Sequence, residues 1–120
     1  MTPSQILTQE AQSQGQDPQP VLKSAVDQLN NGHTVMLQEN DSLLFITQLG
    51  DSRAMLHLST IDAPLTLAKS LKGFLHKLKS SELKTVYGDT NNQQILRLMK
   101  RVGYHVQKSN LPKFTWMAAV

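Results

Sequence analysis

The sequence predicts an α/β protein of the α+β kind, with short strands and amphipathic helices folded into one domain. Three observations point there. Apolar residues recur at helical spacing in three separate stretches. Three strand-like runs divided by short breaks follow the first of them. With 120 residues and 39% hydrophobic content, the chain has the size of a single domain, and its six aromatic residues imply a modest core.

Residues 1–19 stand apart in composition as a Gln-rich N-terminal arm, and residues 20–120 form the predicted domain. The arm carries Gln5, Gln9, Gln12, Gln14, Gln16 and Gln19 together with Pro3, Gly15, Pro18 and Pro20. So little apolar surface predicts a flexible tail. A short edge strand around Ile6 and Leu7, or an arm that orders on a partner, are the alternatives.

Val21, Leu22, Ala25, Val26 and Leu29 mark one face of a helix that opens near Pro20 and stops at Gly32. The runs 34–39, 42–49 and 53–59 read as strands, and the breaks Asn40-Asp41 and Gly50-Asp51 suit hairpins. A second helix is predicted from an N-cap at Asp62, with Pro64 in its first turn. Leu67, Ala68, Leu71, Phe74, Leu75 and Leu78 form its apolar stripe. A short strand follows at 85–88. The third helix spans about 92–102, turns Ile95, Leu96, Leu98, Met99 and Val102 inward, and ends at Gly103. Strands at 104–109 and 113–119 close the chain, the last placing Phe114, Trp116 and Ala118 on one face.

Composition excludes several classes. Without cysteine there is no disulfide framework, zinc ribbon, iron–sulfur centre or thiol nucleophile. No apolar run approaches a membrane span, and MTPSQILTQE has neither the basic start nor the apolar stretch of a secretory leader. A soluble protein inside a cell, or assembled there, is the expectation, with no membrane partner. His33, His76 and His105 lack metal-ligand spacing, so no metal site is expected. Ser59 and Thr60 read as loop residues, with no base beside them to make a nucleophile.

Charge is unevenly spread. Residues 1–62 hold two basic and seven acidic side chains, whereas residues 63–120 hold ten basic and two acidic ones. Lys69, Lys72 and Lys79 on the second helix, with Arg97, Lys100 and Arg101 on the third, form a candidate face for an acidic protein, for nucleic acid or for cofactor phosphates. Two solvated helix faces are the plainer reading. No aromatic residues are interleaved with these cations, which disfavours single-stranded nucleic acid. The apolar C-terminus, Trp116 to Val120, is expected to pack within the chain or under a partner or second copy.

The segment from Asn92 to Tyr104 carries a resemblance. Asn92, Ile95, Leu98, Gly103 and Tyr104 fall in the register of the pattern N-x-x-A-x-x-L-Y-x-x-x-G-F. In that register and in element order over residues 21–119, the chain resembles the GNAT acyltransferase superfamily. The resemblance implies a mixed, mainly antiparallel twisted sheet with helices on both faces, and central strands that splay around acetyl-CoA. Two departures bear on chemistry. The family's glycine-rich pyrophosphate loop corresponds to Ser59-Thr-Ile-Asp-Ala-Pro-Leu65, which has no glycine, and there Pro64 lacks an N–H and Asp62 brings a negative charge. The tyrosine that often serves as general acid is Met99.

By size and element order the chain is also similar to small GNAT-like virion and internal virion proteins of short-tailed bacteriophages. The resemblance therefore implies a non-catalytic module, cofactor-free, that acts in a phage particle or its assembly through contacts with other virion proteins, itself or DNA. The alternative is an acetyl-CoA-dependent N-acetyltransferase. In that case His57 is the candidate base, acting through a water, and Tyr104 or Tyr87 the replacement acid. Backbone amides around Ile61, Ala63 and Leu65, with Asn92, would then hold the cofactor. For His57 the plainer reading is a strand histidine that is hydrogen-bonded or faces solvent. A third reading is a small DNA-binding accessory protein.

Overall fold

The computed structural model describes residues 1–120 and shows four helices and one open six-stranded sheet. The elements run α1 (Pro3–Ser13), α2 (Pro18–Asn30), β1 (Thr34–Glu39), β2 (Ser42–Gly50), β3 (Arg53–Thr60), α3 (Pro64–Lys79), β4 (Thr85–Gly88), α4 (Gln93–Val102), β5 (His105–Lys108) and β6 (Trp116–Ala119). This is an α+β fold, and its sheet is mixed and mainly antiparallel.

Strand order is β1-β2-β3-β4-β6-β5. The first three strands form the predicted meander. Asn40 turns the first hairpin in the left-handed region, and both Asp51 and Ser52 adopt left-handed values in the second. The sole parallel contact is β3 with β4, and it is brief: Arg53↔Thr85, Ala54↔Val86 and Met55↔Tyr87. From there β3 continues to Thr60 without β4 beside it.

Side-chain alternation splits the core into two layers. Leu44, Ile46, Ala54, Leu56, Val86 and Ala118 face α3 and α4, where Leu71, Phe74, Leu78 and Met99 meet them. Leu43 and Phe45 face the other way, onto Ile6 and Leu7 of α1 and the half-buried Val21, Leu22 and Ala25 of α2. Helices therefore cover both faces of the sheet.

The N-terminal segment is a helix, neither a flexible tail nor an edge strand. Thr2 and Gln5 form a capping box, with Gln5 N–H donating to Thr2 Oγ1 (3.2 Å) and Thr2 N–H to Gln5 Oε1 (2.9 Å). Ile6, Leu7 and Ala11 lie on one helical face and are buried. Glutamine is an adequate helix former, so three well-placed apolar residues outweigh the polar composition. Glu10 ties the helix to the sheet by accepting the Thr60 N–H at 2.7 Å.

Asp62 is not the N-cap of α3. Ala63 holds that position with no side-chain bond. The Asp62 carboxylate accepts from the Asp41 N–H (3.1 Å), the Ser42 hydroxyl and the Ser70 hydroxyl (2.8 Å). Both serines are fully buried, so the network fastens the β1–β2 turn and α3 to the end of β3. The last strand begins at Trp116 rather than residue 113. Ahead of it Phe114 swings to the Tyr87 side of the sheet, with the two rings 5.4 Å apart.

Candidate functional site

Where β3 and β4 part, a wedge-shaped cavity of about 200 Å³ opens on the α3–α4 side. Leu56 and Leu58 line it from β3, Gly88 from the end of β4, and Ile95 and Met99 from α4, with Tyr104 and Trp116 closing it. The sequence dictates this shape locally. Asn92 caps α4 by accepting the N–H groups of Gln94 (3.0 Å) and Ile95 (3.3 Å), which fixes the apolar stripe against the wedge. Gly103 closes the same helix in the left-handed region, and the Tyr104 N–H donates to the Met99 carbonyl at 2.9 Å.

Trp116 is the residue that sequence reasoning underrated. Its indole lies across Gly88, where a β-carbon would collide with Nε1, Cε2 and Cζ2. A glycine at the end of a buried strand is a signal of such close approach. The ring is 5% exposed, and its Nε1 is the one buried side-chain polar atom without a hydrogen-bond partner. The indole fills part of the wedge and leaves an unpaired N–H donor at the wall of a mainly apolar space that Asp89 and Thr90 also border.

Tyr104 is 3% exposed and donates its hydroxyl to the Leu71 carbonyl at 2.8 Å. Burial pushes its phenol well above the ordinary tyrosine range. A phenol held this way fixes α3 to the β5 side of the wedge and is not presented to a leaving group. Tyr87 points to the opposite face, where its hydroxyl donates to Asn110 Oδ1 at 3.2 Å. Met99 offers no proton.

His57 occupies a boundary. The residue borders the wedge and also a second pocket, of about 290 Å³, between α2 and the sheet, and its ring lies with Phe45 on the α1–α2 face, opposite Leu56 and Leu58. It is exposed, its centroid lies 6.1 Å from the Phe45 ring, and Ser59 Oγ stands 3.5 Å from Nε2. No carboxylate orients it. Ser59 itself is buried.

In the candidate cofactor loop one amide is occupied, while the first-turn N–H groups of α3 take no side-chain cap. The Ile61 N–H donates to the Asp41 carbonyl at 3.1 Å, and its side chain packs on the α1–α2 layer. The Ala63 carbonyl accepts the Leu67 N–H, and Leu65 is 84% exposed. The Asn92 amide is engaged as a cap. Beside this turn, however, a groove of about 510 Å³ runs between the start of α3 and α4, and Arg97 and Arg101 line it with Asn92 and Gln94. It adjoins the wedge at Ile95.

Lys69, Lys72, Lys79, Arg97, Lys100 and Arg101 are all exposed on the outer layer made by α3 and α4, and none of them is ion-paired. Lys77, on the rim, pairs with Glu39 at 3.6 Å. No three His, Asp or Glu side chains converge to hold a metal, and no helix is long and apolar enough to cross a membrane. No protein-family model, curated protein or solved structure matches this chain.

Proposed function

We propose that the chain is a GNAT-like module without acetyl-transfer activity, acting through contacts as a component of a bacteriophage particle or of its assembly. The observation that carries this reading is the state of the wedge. The groove that would take a thioester is partly filled by Trp116, and the nearest phenol is bound to the Leu71 carbonyl. The turn that would hold a pyrophosphate carries Pro64, which lacks an N–H, and the Asp62 carboxylate, a negative charge fixed there by Asp41, Ser42 and Ser70. A sheet with one parallel pair at its centre that diverges supports the GNAT resemblance. The phage setting rests on the similarity to small GNAT-like virion proteins. The unpaired cations of the α3–α4 layer supply a contact face for an acidic virion protein or DNA.

The test is an acetyl-transfer assay. The folded protein is incubated with acetyl-CoA and a panel of amine acceptors, and thiol release is followed. This reading expects no release above the protein-free rate.

One observation favours the second reading, an acetyl-CoA-dependent N-acetyltransferase. The apolar wedge adjoins a groove lined by Arg97 and Arg101, which is the arrangement a slender acyl arm with a phosphorylated end would need. On that reading His57, set between the wedge and the α2 pocket, is the base. Thiol release that His57→Ala abolishes would establish it.

A further inference from the structure

The two edges of the sheet are unlike each other. β5 has four residues, and His105, Gln107 and Lys108 on it are exposed, which guards that edge against pairing. β1 has six residues, an unbroken register with β2, and neither lysine, arginine nor proline. Val35 on it is 58% exposed. Beside it, on the α3 side, runs a groove of about 500 Å³ with Val35, Leu37, Ile46, Leu78 and Leu83 as its apolar wall.

The backbone of β1 is half-satisfied. The Gln48 N–H donates to the His33 carbonyl at 2.9 Å, and in an antiparallel ladder such pairs alternate along the strand. Residues 35, 37 and 39 therefore turn their backbone groups to β2. Thr34, Met36 and Gln38 turn theirs outward, at the open edge.

The geometry points to β1 as the seam of a homodimer, two copies joining edge to edge into a continuous twelve-stranded sheet. The occupant is a second copy because the strand is complementary to itself about Met36. A two-fold axis through that residue, normal to the sheet, sets Met36 opposite Met36 of the second copy. Val35 then faces the second copy's Leu37 on the α3 side, and Thr34 faces its Gln38 on the α1 side. These are the faces those residues already occupy, since Val35 and Leu37 pair with Ile46 and Leu44, and Met36 with Phe45. Glu39, the one charged residue of the strand, comes opposite the second copy's His33, so no like charges meet. The outward groups of Thr34, Met36 and Gln38 gain about six ladder hydrogen bonds. This inference is independent of what the wedge binds.

Sedimentation velocity on the full chain, over about 1 to 200 µM, reads the assembly directly. A reversible shift to twice the monomer mass is expected, and Val35→Lys should weaken it by about tenfold or more while leaving the circular dichroism unchanged. A monomer at every concentration overturns the proposal, as does a dimer that Val35→Lys leaves intact. The register is tested separately, because the chain has no cysteine of its own. Facing residues at position 36 would have Cα atoms about 5.5 Å apart, within disulfide reach. Met36→Cys should therefore cross-link to a dimer on mild oxidation. Val35→Cys alone should not, but should do so when mixed with Leu37→Cys. Cross-linking of Val35→Cys alone as fast as Met36→Cys overturns the register and the proposal with it. These cysteine variants decide the question even if Val35→Lys fails to fold.

Discussion

The carboxylate of Asp62 holds three donors from two parts of the chain: the Asp41 amide and Ser42 hydroxyl of the β1–β2 turn, and the Ser70 hydroxyl of α3. Removing it takes a charged acceptor from two buried hydroxyls, which keep Thr60 Oγ1 and the Glu39 carbonyl as partners, so Asp62→Ala should destabilise the fold by about 2 kcal/mol, measured by urea unfolding. Tyr104 gives a different signature. Its phenol is raised by burial, so the folded state favours the protonated form. That contribution is complete below the ordinary tyrosine value of about 10 and is lost as pH rises beyond it, by up to about 1.4 kcal/mol per pH unit. Tyr104→Phe should lose about 1 kcal/mol below pH 10, through the missing bond to Leu71, yet show a flatter decline above it. Chemical denaturation of both proteins between about pH 8 and 11 compares the two profiles. Neither residue's role was legible locally. An Asp two residues before a proline-led helix reads as a cap, and only the tertiary approach of Ser42 and Ser70 redirects it.

At the scale of elements, α1 shows where composition misleads and residue spacing does not. Six glutamines within the first twenty residues mark a polar tail, but Thr2 and Gln5 form a capping box and Ile6, Leu7 and Ala11 share a face. Ile6 is fully buried against Leu43 and Phe45, so Ile6→Ala should cost about 3 kcal/mol, again read by urea unfolding. A flexible arm would show no change. α4 was legible from end to end, because its cap at Asn92, its stripe and its stop at Gly103 are local signals that agree. The meander was equally clear from its short breaks. The wedge was not, since it arises where the β3–β4 pairing ends, and no residue of either strand announces that divergence. Gly88 was the available clue, and Trp116 its partner.

For the molecule as a whole, the charge split along the chain becomes a partial split in space, with Glu39 and Asp62 on the α3–α4 side beside Lys77 and the Arg97–Arg101 groove. The cations of α3 and α4 share one outer layer, while Glu10, Asp17 and Asp27 lie on or beside α1 and α2 on the other side of the sheet. If that basic layer meets duplex DNA with all six unpaired cations, the slope of log affinity against log salt should be no steeper than about −5. Lys72→Glu with Arg101→Glu should reduce it by roughly two, as fluorescence anisotropy on a labelled duplex would show.

On the proposed reading the wedge takes no acetyl-CoA and carries out no acetyl transfer. Calorimetric titration of the folded protein with acetyl-CoA, followed in parallel by the fluorescence of its single tryptophan, tests this most directly. Trp116 lines the wedge, so occupancy would alter its emission. The account predicts no saturable heat and no change in emission. Saturable micromolar binding that quenches Trp116 and weakens in Arg97→Ala would contradict it and restore the enzyme.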